Sequence, residues 1–291
     1  MLSRILVATD GSEASDRMLE CVTGLRRVGS REAILVHVFN VRVMGGLYES
    51  LKAVVRPRLD AQRGLLQAAG FEVRVETPLG IPFSEINRLA EDQACSLVVV
   101  GSLGESLVGE LLLGSTAHSV LQNAAVPVLL VRLEITDHEN GGKRCRVTCE
   151  DLFAHILFPT DFSDTAERAF LFLEHIVRET GSRVTLLHVQ DRAKIERHLH
   201  HRLEEFNRID AERLDRMRTR LEECGAAAVH IDIPYGSPTA LILERARAQV
   251  HSLILMGSQG RGFIHEVFMG SVANAVSRLA PLPVLFVPAL R

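Results

Sequence analysis

GSQGRGFIHEVFMGS, residues 257–271, sets three glycines and a closing serine at the spacing G-x2-G-x9-G-S directly after the apolar run LILM at 253–256. The same spacing stands earlier in GSLGESLVGELLLGS, residues 101–115, after LVVV at 97–100. A glycine-punctuated turn from an apolar strand into a helix, repeated within one chain, points to a duplicated domain. The flanks extend the match: ILVATDGSEAS from Ile5 aligns with ILFPTDFSDTA from Ile156, pairing Asp10 with Asp161 at an offset of 151 residues. LVHV ending at Val38 and LHV ending at Val189 keep that offset. PLGIP around Gly80 with PYGSP around Gly236, and AVPVLLV around Pro127 with PLPVLFV around Pro283, stand 156 apart, so five additional residues of the second copy lie between Val189 and Pro234.

Each copy is roughly 135 to 140 residues, a usual size for a domain with its own core. The expected layout is a first domain at 1–133, a linker at 134–153 and a second domain at 154–291. The linker holds Asn140-Gly141-Gly142-Lys143-Arg144, a polar run with paired glycines that reads as exposed loop. In the first copy, strands are expected at 5–9, 33–39, 72–76, 97–101 and 126–131, with amphipathic helices at 13–28, 51–69, 83–93 and 115–123. The second copy repeats the order with strands at 156–160, 183–189, 228–233, 253–257 and 284–287, and its second helix takes up the extra residues in the charged stretch 191–223. Strands separated by helical crossovers imply, in each domain, a five-stranded parallel α/β sheet with helices on both faces.

Bulk properties narrow the partners. Apolar residues make up 47% of the chain and the net charge is −3, which offers no general attraction for nucleic acid or an anionic membrane. The longest apolar runs fall well short of the ~20 residues that span a bilayer. The N-terminus enters a strand at once (Met1-Leu-Ser-Arg-Ile-Leu-Val) without a signal-peptide pattern, so a cytoplasmic location is expected. Five scattered cysteines in a chain of this size suggest reduced thiols.

In open α/β sheets, ligands sit beyond the carboxyl ends of the strands where strand order reverses. Asp10 and Asp161 end the first strand of each copy, and each glycine motif begins at the end of the fourth. If those strands are neighbours, aspartate and glycine loop face one crevice. Glycine permits positive φ and close approach to backbone N–H groups, and the final Gly-Ser opens a helix whose free N–H groups and dipole favour a phosphate.

On these motifs the chain resembles the universal stress protein family in its tandem two-domain, flavodoxin-like (Rossmann-like) form, over nearly its whole length apart from the linker and the stretch 191–223. The resemblance implies an adenine-nucleotide site for ATP or AMP. The glycines cradle phosphates and ribose, the aspartate sits at the nucleoside and the valine ending the second strand lines the adenine. In the second copy the matching residues are Asp161, Val189, Gly257, Gly260, Gly270 and Ser271, flanked by Pro159, Thr160, Met256, Gln259, Arg261, Val272 and Ala273. In the first they are Asp10, Val38, Gly101, Gly104, Gly114 and Ser115, with Thr116 next. The copies differ after the second motif glycine, where the second has Arg261 and the first Glu105. A guanidinium donates charge-assisted hydrogen bonds to phosphate, whereas a carboxylate repels it. The second domain is therefore expected to be the principal site and the first the weaker one.

The resemblance also implies an internal pseudo-dimer of the two domains, joined edge to edge through the fifth strands, with room for a further homodimer and an unidentified protein partner. The expected role is nucleotide-dependent stress response or signalling. Two rivals stand beside it: slow ATP hydrolysis with Mg held through the nucleotide phosphates, and a nucleotide-free interaction scaffold. No G-x4-G-K-S/T motif and no dinucleotide fingerprint after the first strand are present, and no dedicated general base or catalytic residue is assigned. Cys145-x3-Cys149 with His138 and His155 lacks a familiar ligand spacing, and His198 and His201, one helical turn apart and able to share a ligand, read as a solvated helix face, so no metal site is expected. Ser12 and Ser163 are expected to cap the first helix of each copy, and His37 and His188 to pack near the sheet.

Overall fold

The computed structural model describes residues 2–41, 48–103, 113–137, 143–147, 151–195, 203–248, 250–260 and 269–290. The chain divides into two compact units, essentially Met1–Glu150 and Asp151–Leu290. In the first unit, β1 (Arg4–Ala8), β2 (Glu32–Val36), β4 (Glu72–Glu76), β6 (Leu97–Gly101) and β7 (Val128–Val131) form a parallel sheet in the order β4-β2-β1-β6-β7. A short parallel pair, β3 (Phe39–Asn40) with β5 (Leu79–Gly80), extends the carboxyl side. The helices are α1 (Glu13–Thr23), α2 (Tyr48–Ala68), α3 (Pro82–Asp92) and α4 (Ser115–Asn123).

The second unit repeats this plan. Strands β10 (His155–Pro159), β11 (Arg183–Leu187), β13 (Ala228–Asp232), β15 (Leu253–Gly257) and β16 (Val284–Val287) stand in the order β13-β11-β10-β15-β16, again all parallel, with β12 (Gln190–Asp191) paired to β14 (Tyr235–Gly236). The crossover helices are α5 (Asp164–Thr180), α6 (Arg192–Ile195), α7 (Leu203–Glu223), α8 (Pro238–Arg247) and α9 (Ser271–Leu279). Each sheet reverses its winding between the first and fourth of its long strands, β1 with β6 and β10 with β15, so the expected neighbours are neighbours.

Burial explains the order. Leu97, Val98 and Val99 of β6 and Leu253, Ile254 and Leu255 of β15 are wholly buried, as central strands covered on both faces require. In β4 the residues Glu72, Arg74 and Glu76 alternate outward, the pattern of a strand at one side of its sheet. Ile5, Leu6 and Val7 form one core, and Ile156, Leu157, Phe158 and Phe170 the other, with the Phe158 and Phe170 rings edge to face at 5.7 Å. Ser12 and Ser163 cap α1 and α5, accepting from the N–H groups of Ser15 and Ala166, with Glu13 and Asp164 in the first turns.

Two expectations change. The stretch read as exposed loop between the copies carries an antiparallel pair, β8 (Leu133–Asp137) with β9 (Lys143–Val147), because LEITD and KRCRV flank the glycines like the arms of a hairpin. Cys21 is disulfide-bonded, so the chain is not uniformly a set of reduced thiols; Cys95 and Cys224 are free. Among the described residues no helix is long and apolar enough to cross a membrane, and no group of three or more histidine, cysteine or acidic side chains could hold a metal ion.

Candidate functional site

The crevice of the second unit lies beyond the carboxyl ends of β10 and β15. Thr160 continues β10, its N–H bonded to the Leu187 carbonyl at 2.9 Å, and its hydroxyl accepts from the Phe162 N–H at 3.1 Å. This tight turn presents Asp161. The Oδ1 of Asp161 accepts from the Ser163 N–H at 3.1 Å and from the Ser163 hydroxyl at 2.6 Å. Its Oδ2 points to the glycine loop: a β-carbon on Gly260 would stand 2.5 Å from it, so only glycine fits there without displacing the carboxylate.

The loop then closes on the next helix. Ser258 receives the Gly270 N–H on its carbonyl at 2.8 Å. A β-carbon on Gly270 would lie 3.6 Å from the Gln259 Cα and 3.7 Å from the Gly260 nitrogen, which places the loop backbone across the start of α9. Gly270 is the N-cap and brings no side chain to the first N–H groups of that helix, and the exposed Ser271 follows. Asp161, Gln259, Gly260 and Gly270 thus converge. Pro159 and Met256 are buried in the strands beneath, Gly257 ends β15 against Thr165, Val189 follows β11, and Val272 and Ala273 continue α9. Arg261 lies outside the described residues. The uncapped start of α9 suits a phosphate-bearing ligand, and a side chain at Gly270 would stand between it and the backbone of Gln259 and Gly260.

In the first unit the same frame is present with different contacts. Asp10 Oδ1 accepts from the Ser12 N–H at 3.0 Å and from the Ser15 hydroxyl at 2.5 Å. Gly114 donates its N–H to the Ser102 carbonyl at 2.8 Å and caps α4 ahead of the exposed Ser115 and Thr116. Val38 follows β2. Gly101 ends β6 under the Leu133 side chain, and Leu103 packs with Ala14 and Leu133. Gly104 and Glu105 lie outside the described residues, as do His138, Cys149, His198, His200 and His201 and the side chain of Cys145.

Several contributors escaped the sequence reading. Phe162 follows Asp161 in the left-handed region, φ 58°, where the first unit has Gly11 at φ 75°. Its ring lies 4.5 Å from that of His188, and the Arg213 guanidinium sits 5.2 Å above it. His188 donates Nδ1–H to the Thr160 carbonyl at 2.8 Å, with Nε2 3.3 Å from Asp210. His37 makes the equivalent contact to the Thr9 carbonyl at 3.1 Å, so both histidines tie the second strand to the aspartate turn. In the first unit the buried Gln62 of α2 accepts from Thr9 and donates to Asp16, at 2.9 and 2.6 Å; aligning Leu59 and Leu66 with Leu214 and Leu221 puts Met217 in that place in α7.

Comparison with known proteins agrees with this architecture. The model of the universal stress protein family matches residues 1–132 and, separately, 153–288. A universal stress protein of Methanocaldococcus jannaschii is 28% identical over 155 residues, covering 45% of this chain and 96% of its own length. The Bacillus subtilis universal stress protein YxiE is 32% identical over 148 residues, covering 45% of this chain and 100% of its own. The crystal structure of a universal stress protein from Archaeoglobus fulgidus matches with a TM-score of 0.77 at 26% identity, over 99% of both chains.

Proposed function

The chain belongs to the universal stress protein family, and on that premise we propose that its second unit binds an adenine nucleotide, ATP or AMP, to serve stress response or signalling. The observation that carries the reading is the convergence of Asp161, Gly260 and Gly270 on the start of α9. Gly257, Gly260, Gly270 and Ser271 would meet phosphate and ribose, Asp161 the nucleoside, and Val189 the base; Mg, when present, would be held through the phosphates. The first unit is the weaker site in this reading. Its support is the exchange of Arg261 for Glu105: like charges about 5 Å apart in a partly wet cleft cost on the order of 1 to 3 kcal/mol, up to about a hundredfold in affinity. The proposal places the protein in the cytoplasm, with domains at 1–133 and 154–291 flanking a linker.

Calorimetric titration of ATP and AMP into the full chain tests it. Gly270→Asp sets a carboxylate in the cradle and should weaken the tight site by about a hundredfold or more. Gly114→Asp should leave that site intact. Loss of tight binding through Gly114→Asp alone would reverse the assignment, and absence of binding to the unaltered chain would end it.

A further inference from the structure

The end of the second sheet opposite the crevice holds a cluster that the nucleotide reading does not use. His155 opens β10 and His251 stands two residues before β15, with ring centroids 4.4 Å apart. The Nδ1 of His155 faces the Val250 carbonyl at 3.0 Å, and that of His251 faces the Arg245 carbonyl at 3.1 Å. A carbonyl cannot donate, so each Nδ1 carries the proton and each neutral ring offers a bare Nε2. Both Nε2 atoms face the same Thr185 hydroxyl, at 2.9 Å and 3.2 Å. One hydroxyl proton serves only one of them.

The first unit solves the same position differently. At the offset of 151, His155 and Arg183 correspond to Arg4 and Glu32, which are cross-strand partners and form an ion pair at 2.8 Å; Arg4 also donates to the Gln93 carbonyl at 2.7 Å. His251 corresponds to Cys95, a thiol that burial pushes up to about 11. Charge at the base of the first sheet is compensated. At the base of the second, His155 takes the place of the arginine, and Arg183 has no ion-pair partner among the described residues.

We propose that His155, Thr185 and His251 form an acid-labile latch that lets the second unit open on mild acidification while the first unit stays closed. A proton added to either ring would gain a hydrogen bond to Thr185, yet it would place a positive charge among Arg183 of β11, His230 of β13 and Arg245 of α8. Arg245 itself is paired with Asp232 and Glu244, and Asp151 accepts from the Phe153 N–H. The buried face of α5, which packs on β15, offers Phe170, Leu173, Ile176 and Val177 and no charge. One hydrogen bond is worth less than an uncompensated charge in such a place.

The direction of both imidazoles agrees. Burial foremost, then His251 and Arg183, lowers His155 from the usual histidine range to about 4, and burial with Arg245 lowers His251. A histidine held neutral in the fold takes up its proton more readily when unfolded, so its stabilising contribution is complete above the ordinary value near 6.5. That contribution declines as pH falls from there toward about 4. The turn that presents Asp161 follows β10 and Gly257 ends β15, so the same opening dismantles the crevice.

Hydrogen–deuterium exchange of the full chain without nucleotide, read peptide by peptide and corrected for intrinsic rates, tests the latch. Between pH 7 and pH 5 the opening constant of β10 and β15 should rise at least about tenfold, the change one proton contributes per pH unit, while β1 and β6 hold their protection. His155→Gln with His251→Gln should remove the rise, and His155→Gln alone should reduce it. Three results overturn the proposal: unchanged protection of β10 and β15 at pH 5, parallel loss in β1 and β6, or an undiminished response in the folded variants. The unaltered protein decides the question by itself if the double variant does not fold.

Discussion

The two aspartate turns meet one backbone demand in two ways. Gly11 follows Asp10 at φ 75°, a conformation that costs glycine nothing, whereas Phe162 follows Asp161 at φ 58°, where a side chain is strained by roughly 1–2 kcal/mol. The second unit offsets this strain with contacts, since the Phe162 ring meets the His188 ring and the Arg213 guanidinium. Duplication kept the turn, which aims the carboxylate, and exchanged the means of holding it. Replacing Phe162 separates strain from packing. Phe162→Ala keeps the strained β-carbon and loses the ring, so unit-resolved denaturant unfolding should show the second unit weakened by about 2–3 kcal/mol. Phe162→Gly loses the same ring and relieves the turn, and should cost about 1 kcal/mol less. Equal costs would show that the turn stores no strain.

The carboxylates sharpen the contrast at a smaller scale. In the first unit the work is divided: Ser12 caps α1, and Ser15 donates to Asp10 at 2.5 Å. Ala166 stands where Ser15 would be in the second unit, and the single Ser163 hydroxyl does both tasks, donating to Asp161 at 2.6 Å and accepting from the Ala166 N–H at 3.3 Å. Ser163→Ala should therefore cost the second unit about 2 kcal/mol, near the sum of a lost cap and a lost charge-assisted hydrogen bond. It should also loosen Asp161 in the crevice and weaken any ligand that depends on it.

Much of this frame was legible because it is written in local patterns. Strands 72–76, 97–101, 253–257 and 284–287 appear with the expected bounds, since continuous apolar runs or strict alternation mark them without ambiguity. The pairing of aspartate with glycine loop followed from strand order, which the repeated strand-helix alternation implied. Less visible were contacts set by register and helix rotation. Arg213 reaches Phe162 from α7, a helix that aligns with its counterpart only once the offset between the copies has changed from 151. His155 and His251 are far apart in sequence and meet because β10 and β15 are neighbours. The β8–β9 hairpin is hard to see in the sequence because its paired glycines suggest a loop more strongly than the short arms LEITD and KRCRV suggest strands. Nothing local in the sequence announced that Phe162 would adopt the conformation of Gly11.

The smallest effect belongs to Ser12, and it tests whether the tasks are divided. Ser12→Ala removes the acceptor for the Ser15 N–H but leaves the Ser15 hydroxyl and the Ser12 N–H on Asp10. The cap is lost together with a long 3.4 Å contact to the Ser15 hydroxyl, so the first unit should lose about 1 kcal/mol, half the cost of Ser163→Ala in the second. Affinity in the first crevice should not change, because Asp10 keeps the Ser12 N–H and the Ser15 hydroxyl. A cost equal to that of Ser163→Ala would mean that Ser15 cannot hold Asp10 by itself, and that the first unit, too, relies on one serine to fix helix and carboxylate together.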